Sequence, residues 1–150
     1  MKSEESFKKW CEKKIKIDWN KSEKWVKNRQ FWLFNIWVNI WWEMSVESPY
    51  IRPCMILKEN LWWDMILIIP LSSKFWTWFI KNEFYKEIKN FKKYWLNQKS
   101  YFILNQIKII SKDRLITEIS WKQQDWTIFP KYPIDKTTEL KEDLINKIIK

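Results

Sequence analysis

The sequence predicts a mainly β fold: a small, strongly bent barrel with a helix at each end. Several short runs of β-branched and bulky apolar residues, separated by turn-prone segments, are typical of such barrels. Helical spacing of apolar residues is clearest near the two ends of the chain. A length of 150 residues, 46% hydrophobic and 31% charged, fits one globular domain with a modest core.

The first 28 residues are polar and lysine-rich, and we expect them to form an extension that precedes a barrel domain of residues 29–150. The apolar residues of this extension lie near helical spacing: Phe7, Trp10, Cys11 and Ile15. This spacing predicts a short amphipathic helix followed by a lysine-rich linker.

Six segments of the domain have the composition of strands. They are residues 31–36, 51–57, 65–71, 83–88, 101–110 and 115–119. The fourth segment also fits a helix, because apolar residues recur there at helical spacing. A second helix is predicted over 138–149, with Thr137 or Thr138 as its N-cap. Its apolar face comprises Leu140, Leu144, Ile145, Ile148 and Ile149.

The chain contains no glycine but has 14 tryptophans. Many of them fall where turns are expected: Trp62, Trp63, Trp76, Trp78, Trp95 and Trp126. Tight turns need residues that tolerate positive φ, and a side chain with a Cβ is costly there. We therefore expect glycine at many of these positions in the natural protein, as would follow if UGA codons for glycine were translated as tryptophan. Trp10 and Trp32 lie in helix and strand contexts, where we expect genuine packing residues.

Charge and composition narrow the classes of function. The net charge of +10 favours a polyanionic partner, nucleic acid before anionic lipid. The absence of histidine excludes nucleases and proteases that depend on it, and the two cysteines lack metal-ligand spacing. We expect no metal and no cofactor. Apolar runs too short to cross a bilayer, and a charged N-terminus, predict a cytoplasmic protein without membrane contact.

Four short motifs follow one another along the predicted strands. They are Trp41-Trp42-Glu43 after the first strand, Arg52-Pro53 opening the second, Ser72 after the third, and Gln106-Ile107-Lys108 followed by Asp113-Arg114-Leu115. With glycine in place of Trp37 and Trp41, this order resembles the MazF/PemK family of toxin endoribonucleases. The resemblance covers about residues 29 to 120, together with the C-terminal helix.

The resemblance implies an SH3-like barrel of the CcdB–MazF type that forms a homodimer, pairs with a cognate antitoxin and cleaves single-stranded RNA without a metal ion. Arg52 matches the family's catalytic arginine and Ser72 its catalytic threonine or serine. Glu43 could assist proton transfer or hold Arg52. The same motif stretches contain the candidate RNA-binding side chains: Lys58, Ser73, Lys74, Asn105, Gln106 and Lys108.

Simpler roles are open for these residues. Arg52 could form a surface ion pair with Glu43 or Glu47, and Ser72 could merely end a strand while Ser73 supplies the hydroxyl. Gln106 and Lys108, two residues apart, would share a strand face that lines an RNA groove or faces solvent.

Two other functions compete with RNA cleavage. One is a non-catalytic, basic SH3-like module that binds nucleic acid or protein. The other is a tryptophan-rich protein built for stacking or membrane contact. The scattered turn positions of the tryptophans argue against the second of these.

Overall fold

The computed structural model describes residues 4–19, 23–36, 51–74, 82–123 and 126–149. Several residues of interest from the sequence lie outside these ranges: Trp37, Trp41, Glu43, Glu47, Trp76 and Trp78. Within the described part of the chain, no helix is long and apolar enough to cross a membrane.

Antiparallel strands dominate the fold, as predicted. They are β1 (Phe31–Asn35), β2 (Ile51–Trp62), β3 (Met65–Ser72), β4 (Tyr85–Glu87), β5 (Tyr101–Ile103), β6 (Lys108–Ser111), β7 (Leu115–Glu118), β8 (Trp121–Gln123) and β9 (Trp126–Ile128). Seven strands form one sheet in the order β4-β5-β3-β2-β1-β7, with β6 also paired to β3, and β8 and β9 form a separate hairpin. The described sheet ends at β4 and β7, so it is not closed into the barrel that the sequence predicted.

The central strands β2 and β3 carry core residues on both faces. Cys54 and Ile56 belong to one hydrophobic cluster, which also contains Trp32, whereas the alternate residues Met55 and Leu57 belong to a second. Successive side chains of a strand point to opposite faces, so each cluster covers one face of the sheet. This two-sided burial explains why both strands are continuous apolar runs in the sequence.

The predicted N-terminal helix is present as α1, Glu4–Trp19. Trp10 and Trp32 are both buried, which confirms the expectation that they are packing residues. The linker after α1 is also fixed in part, because Val26 joins the first cluster and the Asn28 side-chain oxygen accepts a hydrogen bond of 2.6 Å from the amide of Glu59.

The C-terminal helix α2, Ile134–Leu144, begins before the expected start and continues as a π-helical turn, Ile145–Ile149. Neither predicted N-cap was correct, because the residue at the cap is Pro133. The Thr137 hydroxyl instead donates to the carbonyl of Pro133 and the Thr138 hydroxyl to that of Ile134, a bond that polar side chains make inside helices. Among the predicted apolar residues, Leu140 and Leu144 are buried and Ile145 and Ile148 are exposed.

The single strand predicted over 101–110 was wrong. A 3-10 turn, Leu104–Gln106, separates β5 from β6. The break has a physical reason: β5 pairs with the end of β3 at Leu71 and Ser72, whereas β6 pairs with its beginning at 65–68, in a different register. Segment 83–88 likewise divides into a 3-10 turn and the short strand β4.

Two of the suspected turn tryptophans have left-handed backbone. Trp63 connects β2 to β3 with φ 50°, and Trp95 ends the 3-10 turn Phe91–Tyr94 with φ 59°. Trp126 does not fit the predicted turn, because it is the first residue of β9 and pairs with Gln123.

Candidate functional site

Arg52 and Ser72 occupy neighbouring strands on the same face of the sheet. In the pairing of β2 with β3, Cys54 lies opposite Pro70. Arg52 and Ser72 are each two residues beyond that pair, toward the same end of the sheet. Since side chains alternate along a strand, both share the face of Cys54. The structure thus brings together the two residues at the centre of the sequence-based prediction.

The guanidinium of Arg52 is partly buried. Its Nε is enclosed and finds no acceptor among the described residues, and no described carboxylate forms an ion pair with it. Burial lowers the pKa of Arg52, and Tyr85 acts in the opposite direction. An arginine remains charged in a protein. The described site therefore contains a positively charged guanidinium whose Nε has no hydrogen-bond acceptor. A phosphate group could supply acceptors for such a guanidinium.

The Ser72 side chain is only 4% exposed and closes a tight turn. Its hydroxyl donates to the carbonyl of Lys74 at 2.9 Å and accepts from the amide of Lys74 at 3.1 Å. Ser73 and Lys74 follow as exposed residues. The structural role expected for Ser72 is therefore real, and the hydroxyl occupies a defined position beside the strand end.

A cavity of about 960 Å³ lies at this end of the sheet. Its walls include four of the predicted site residues: Arg52, Ser72, Ser73 and Lys74. They also include uncharged hydrogen-bonding residues of the segment before β5, namely Asn97, Gln98 and Ser100, and the carboxylate residue Glu118 of β7.

The other predicted site residues are not part of this cavity. Lys58 is exposed farther along β2, and Lys108 begins β6 opposite Ile68. Asn105 is exposed and Gln106 buried in the 3-10 turn before it, so the strand face expected for Gln106 and Lys108 does not form. Glu43 lies outside the described residues.

Glu118 is a candidate that the sequence did not reveal. Its Oε1 atom is buried and has no hydrogen-bond donor among the described residues. Burial raises the pKa of Glu118 to about 7, and the positive charge of Lys131 offsets part of that shift. The only signal in the sequence was an acidic residue within a predicted strand, which does not distinguish a buried carboxyl from a solvated one.

The described ranges contain no cluster of metal ligands, and one of their two cysteines is a buried thiol. They contain no group of three or more histidine, cysteine, aspartate or glutamate residues placed to hold a metal ion. Cys11 and Cys54 are both free thiols. Burial raises the pKa of the Cys54 thiol, so it remains protonated and unreactive.

Comparison with known proteins identifies the architecture. No family model and no curated protein matches the sequence. Among solved structures, an endoribonuclease from a mycobacterial species, in complex with its cognate antitoxin, aligns with a TM-score of 0.52 over 81% of this chain and 93% of its own. This chain has the fold of that endoribonuclease. The sequence identity is 9%, so the likeness concerns the fold.

A second solved structure, the Mycobacterium tuberculosis toxin MazF-mt6, aligns with a TM-score of 0.46 and 15% identity over 68% of this chain and 90% of its own. The mainly β fold with flanking helices that the sequence predicted is confirmed.

Proposed function

We propose that the protein is a toxin-type endoribonuclease that cleaves single-stranded RNA without a metal ion. The observation that carries this proposal is the partly buried Arg52 guanidinium, which forms no ion pair with a described carboxylate and shares a sheet face with Ser72. The fold shared with the mycobacterial endoribonuclease supports the class of reaction, and the net charge of +10 favours a polyanionic substrate.

RNA carries its own nucleophile, so the protein needs few chemical groups. The 2′-hydroxyl attacks the adjacent phosphate, and the enzyme holds the chain in line and stabilises the charge of the phosphorane. Arg52 can bind two non-bridging oxygens at once through its planar fork. The Ser72 hydroxyl, released from the Lys74 carbonyl, can donate a hydrogen bond to the same phosphate.

The partners follow from the same proposal. The mycobacterial endoribonuclease was solved with its cognate antitoxin. We infer that this chain also pairs with an antitoxin, acts as a homodimer and meets messenger RNA in the cytoplasm.

Cleavage of a single-stranded RNA by the purified protein tests the proposal directly. We expect cleavage in the presence of EDTA, and Arg52→Ala should reduce the rate at least about 100-fold because a charge-stabilising donor is lost. Lys141→Ala, which removes an exposed charge from α2, is the matched control and should cleave like the wild type.

Two results would reject the enzyme. One is a wild-type protein that binds RNA without cutting it, which would favour the non-catalytic binding module. The other is an Arg52→Ala protein that cleaves at the wild-type rate.

A further inference from the structure

We propose that Glu118 is a further catalytic residue, whose carboxylate takes the proton from the attacking 2′-hydroxyl. The proposal rests on the ribonuclease function proposed above. Glu118 lines the same cavity as Arg52 and Ser72. A nuclease without histidine needs another proton acceptor, and a carboxylate is the next common choice.

The strand register places Glu118 on the face of Arg52. Glu118 lies opposite Trp32 in the pairing of β7 with β1, and Trp32 lies opposite Cys54 in the pairing of β1 with β2. Residues directly opposite each other share a face, so Glu118, Cys54 and Arg52 point to the same side. With strands about 4.8 Å apart and a rise of about 3.3 Å per residue, the Cα atoms of Glu118 and Arg52 lie about 12 Å apart. On that face the buried side chains of Trp32 and Phe34 lie between the two residues. An RNA strand can therefore reach both residues only through the cavity that they line.

The carboxyl group has an unfilled hydrogen bond. Its buried Oε1 receives no donor from the described residues, and a buried acceptor without a donor is costly. A 2′-hydroxyl is a donor, so a bound ribose can satisfy this oxygen at the same time as it presents its proton.

The charges around Glu118 suit a group that changes its protonation near neutrality. Among the described residues, Lys131 is the charged group that acts on Glu118, and Arg52 and Lys74 are the cations that line the cavity. The adjacent strand β1 contributes no titratable group. Burial raises the pKa of Glu118 to about 7. A general base is most effective when its pKa lies near the working pH.

The reaction step balances without a co-reactant. The Glu118 carboxylate accepts the 2′-hydroxyl proton while O2′ forms a bond to phosphorus. The bond from phosphorus to O5′ then breaks, and O5′ takes a proton from water. The products are a 2′,3′-cyclic phosphate and a 5′-hydroxyl end, and the Glu118 proton returns to solvent.

The pH dependence of kcat/KM on one single-stranded RNA tests this assignment. For the wild type, activity should rise about tenfold per pH unit below pH 7 and level off above it, because the ionised carboxylate is the active form. Glu118→Gln should be about 100-fold to 10,000-fold slower on the plateau and should lose the acidic limb. Glu118→Asp should recover part of the rate and keep the limb. Glu142→Gln, on the exposed face of α2, is the matched control.

Each outcome separates this inference from the function on which it rests. Glu118→Gln with an unchanged rate and acidic limb would overturn the role of Glu118 while leaving the ribonuclease intact. A Glu118→Gln protein could keep the acidic limb of the pH profile but cut the RNA at a different nucleotide sequence. That result would show that Glu118 contacts a nucleobase of the RNA and does not accept the proton. If the wild-type protein does not cut RNA, the proposed ribonuclease function itself is rejected. A urea unfolding midpoint for each variant shows that a lost rate comes from a folded protein.

Discussion

The guanidinium carbon of Arg114 lies 5.6 Å from the centroid of the Trp10 indole ring. This contact joins the N-terminal helix to the turn that precedes β7. Arg114 belongs to the 3-10 turn Lys112–Arg114, which leads directly into β7. Trp10 is 1% exposed. The stacked cation and the buried ring give α1 a fixed position on the domain, unlike a freely attached tail.

Removal of the Trp10 side chain should therefore destabilise the whole protein. We expect Trp10→Ala to lower the free energy of unfolding by about 3 to 5 kcal/mol, as for other buried aromatic residues. Trp25→Ala is the control, because the Trp25 side chain is 81% exposed and its loss should change the stability by no more than about 0.5 kcal/mol. Urea unfolding of the full chain measures both. Equal midpoints for the two variants would mean that α1 adds nothing to stability.

The two adjacent serines allow a sharp test of which hydroxyl acts in cleavage. We expect Ser72→Ala to slow RNA cleavage about 100-fold to 1000-fold, because a positioned donor to the phosphate is lost. Ser72→Thr should keep most of the activity, since threonine retains the hydroxyl. Ser73→Ala should slow cleavage less than Ser72→Ala does, because Ser73 lies beyond the strand end, where we expect it to contact the RNA rather than the reacting phosphate. The reverse order of rates would transfer the role to Ser73.

The sequence predicted the parts of the fold that depend on burial of continuous apolar segments. Strands β2 and β3 carry core residues on both faces, so their apolar composition marks them. Arg52 and Ser72 lie at the ends of these two runs, and the resemblance to the MazF/PemK family singled them out. The break at 104–106 was not predictable, because it arises when one segment pairs with two parts of β3. Glu118 was not predictable either, since its burial depends on neighbours distant in the sequence.

Glu118 should also make stability depend on pH. The pKa of Glu118 is about 7 in the folded protein, against an ordinary value of 4.5, so the folded state holds the proton more tightly than the unfolded chain. The contribution of Glu118 to the free energy of unfolding is therefore greatest below pH 4.5. It declines as the pH rises to about 7. Glu118→Gln should lack this decline. Urea midpoints at several pH values between 4.5 and 8 measure the difference, and parallel curves for the two proteins would contradict it.

Trp63 should be a glycine in the natural protein, and the backbone gives the reason. Its φ of 50° places a residue with a Cβ in the left-handed region, at a cost of about 1 to 2 kcal/mol, while its side chain is 84% exposed and packs little. Trp63→Gly should therefore increase the free energy of unfolding by about 1 kcal/mol. This net value allows for the greater flexibility of glycine in the unfolded chain, which offsets part of the gain. Trp32→Gly is the control and should destabilise it, because Trp32 is buried in the core. Mass spectrometry of the peptide around residue 63 from the native cell decides the matter independently. A tryptophan mass there, or a Trp63→Gly protein that unfolds earlier than the parent, would contradict the glycine assignment.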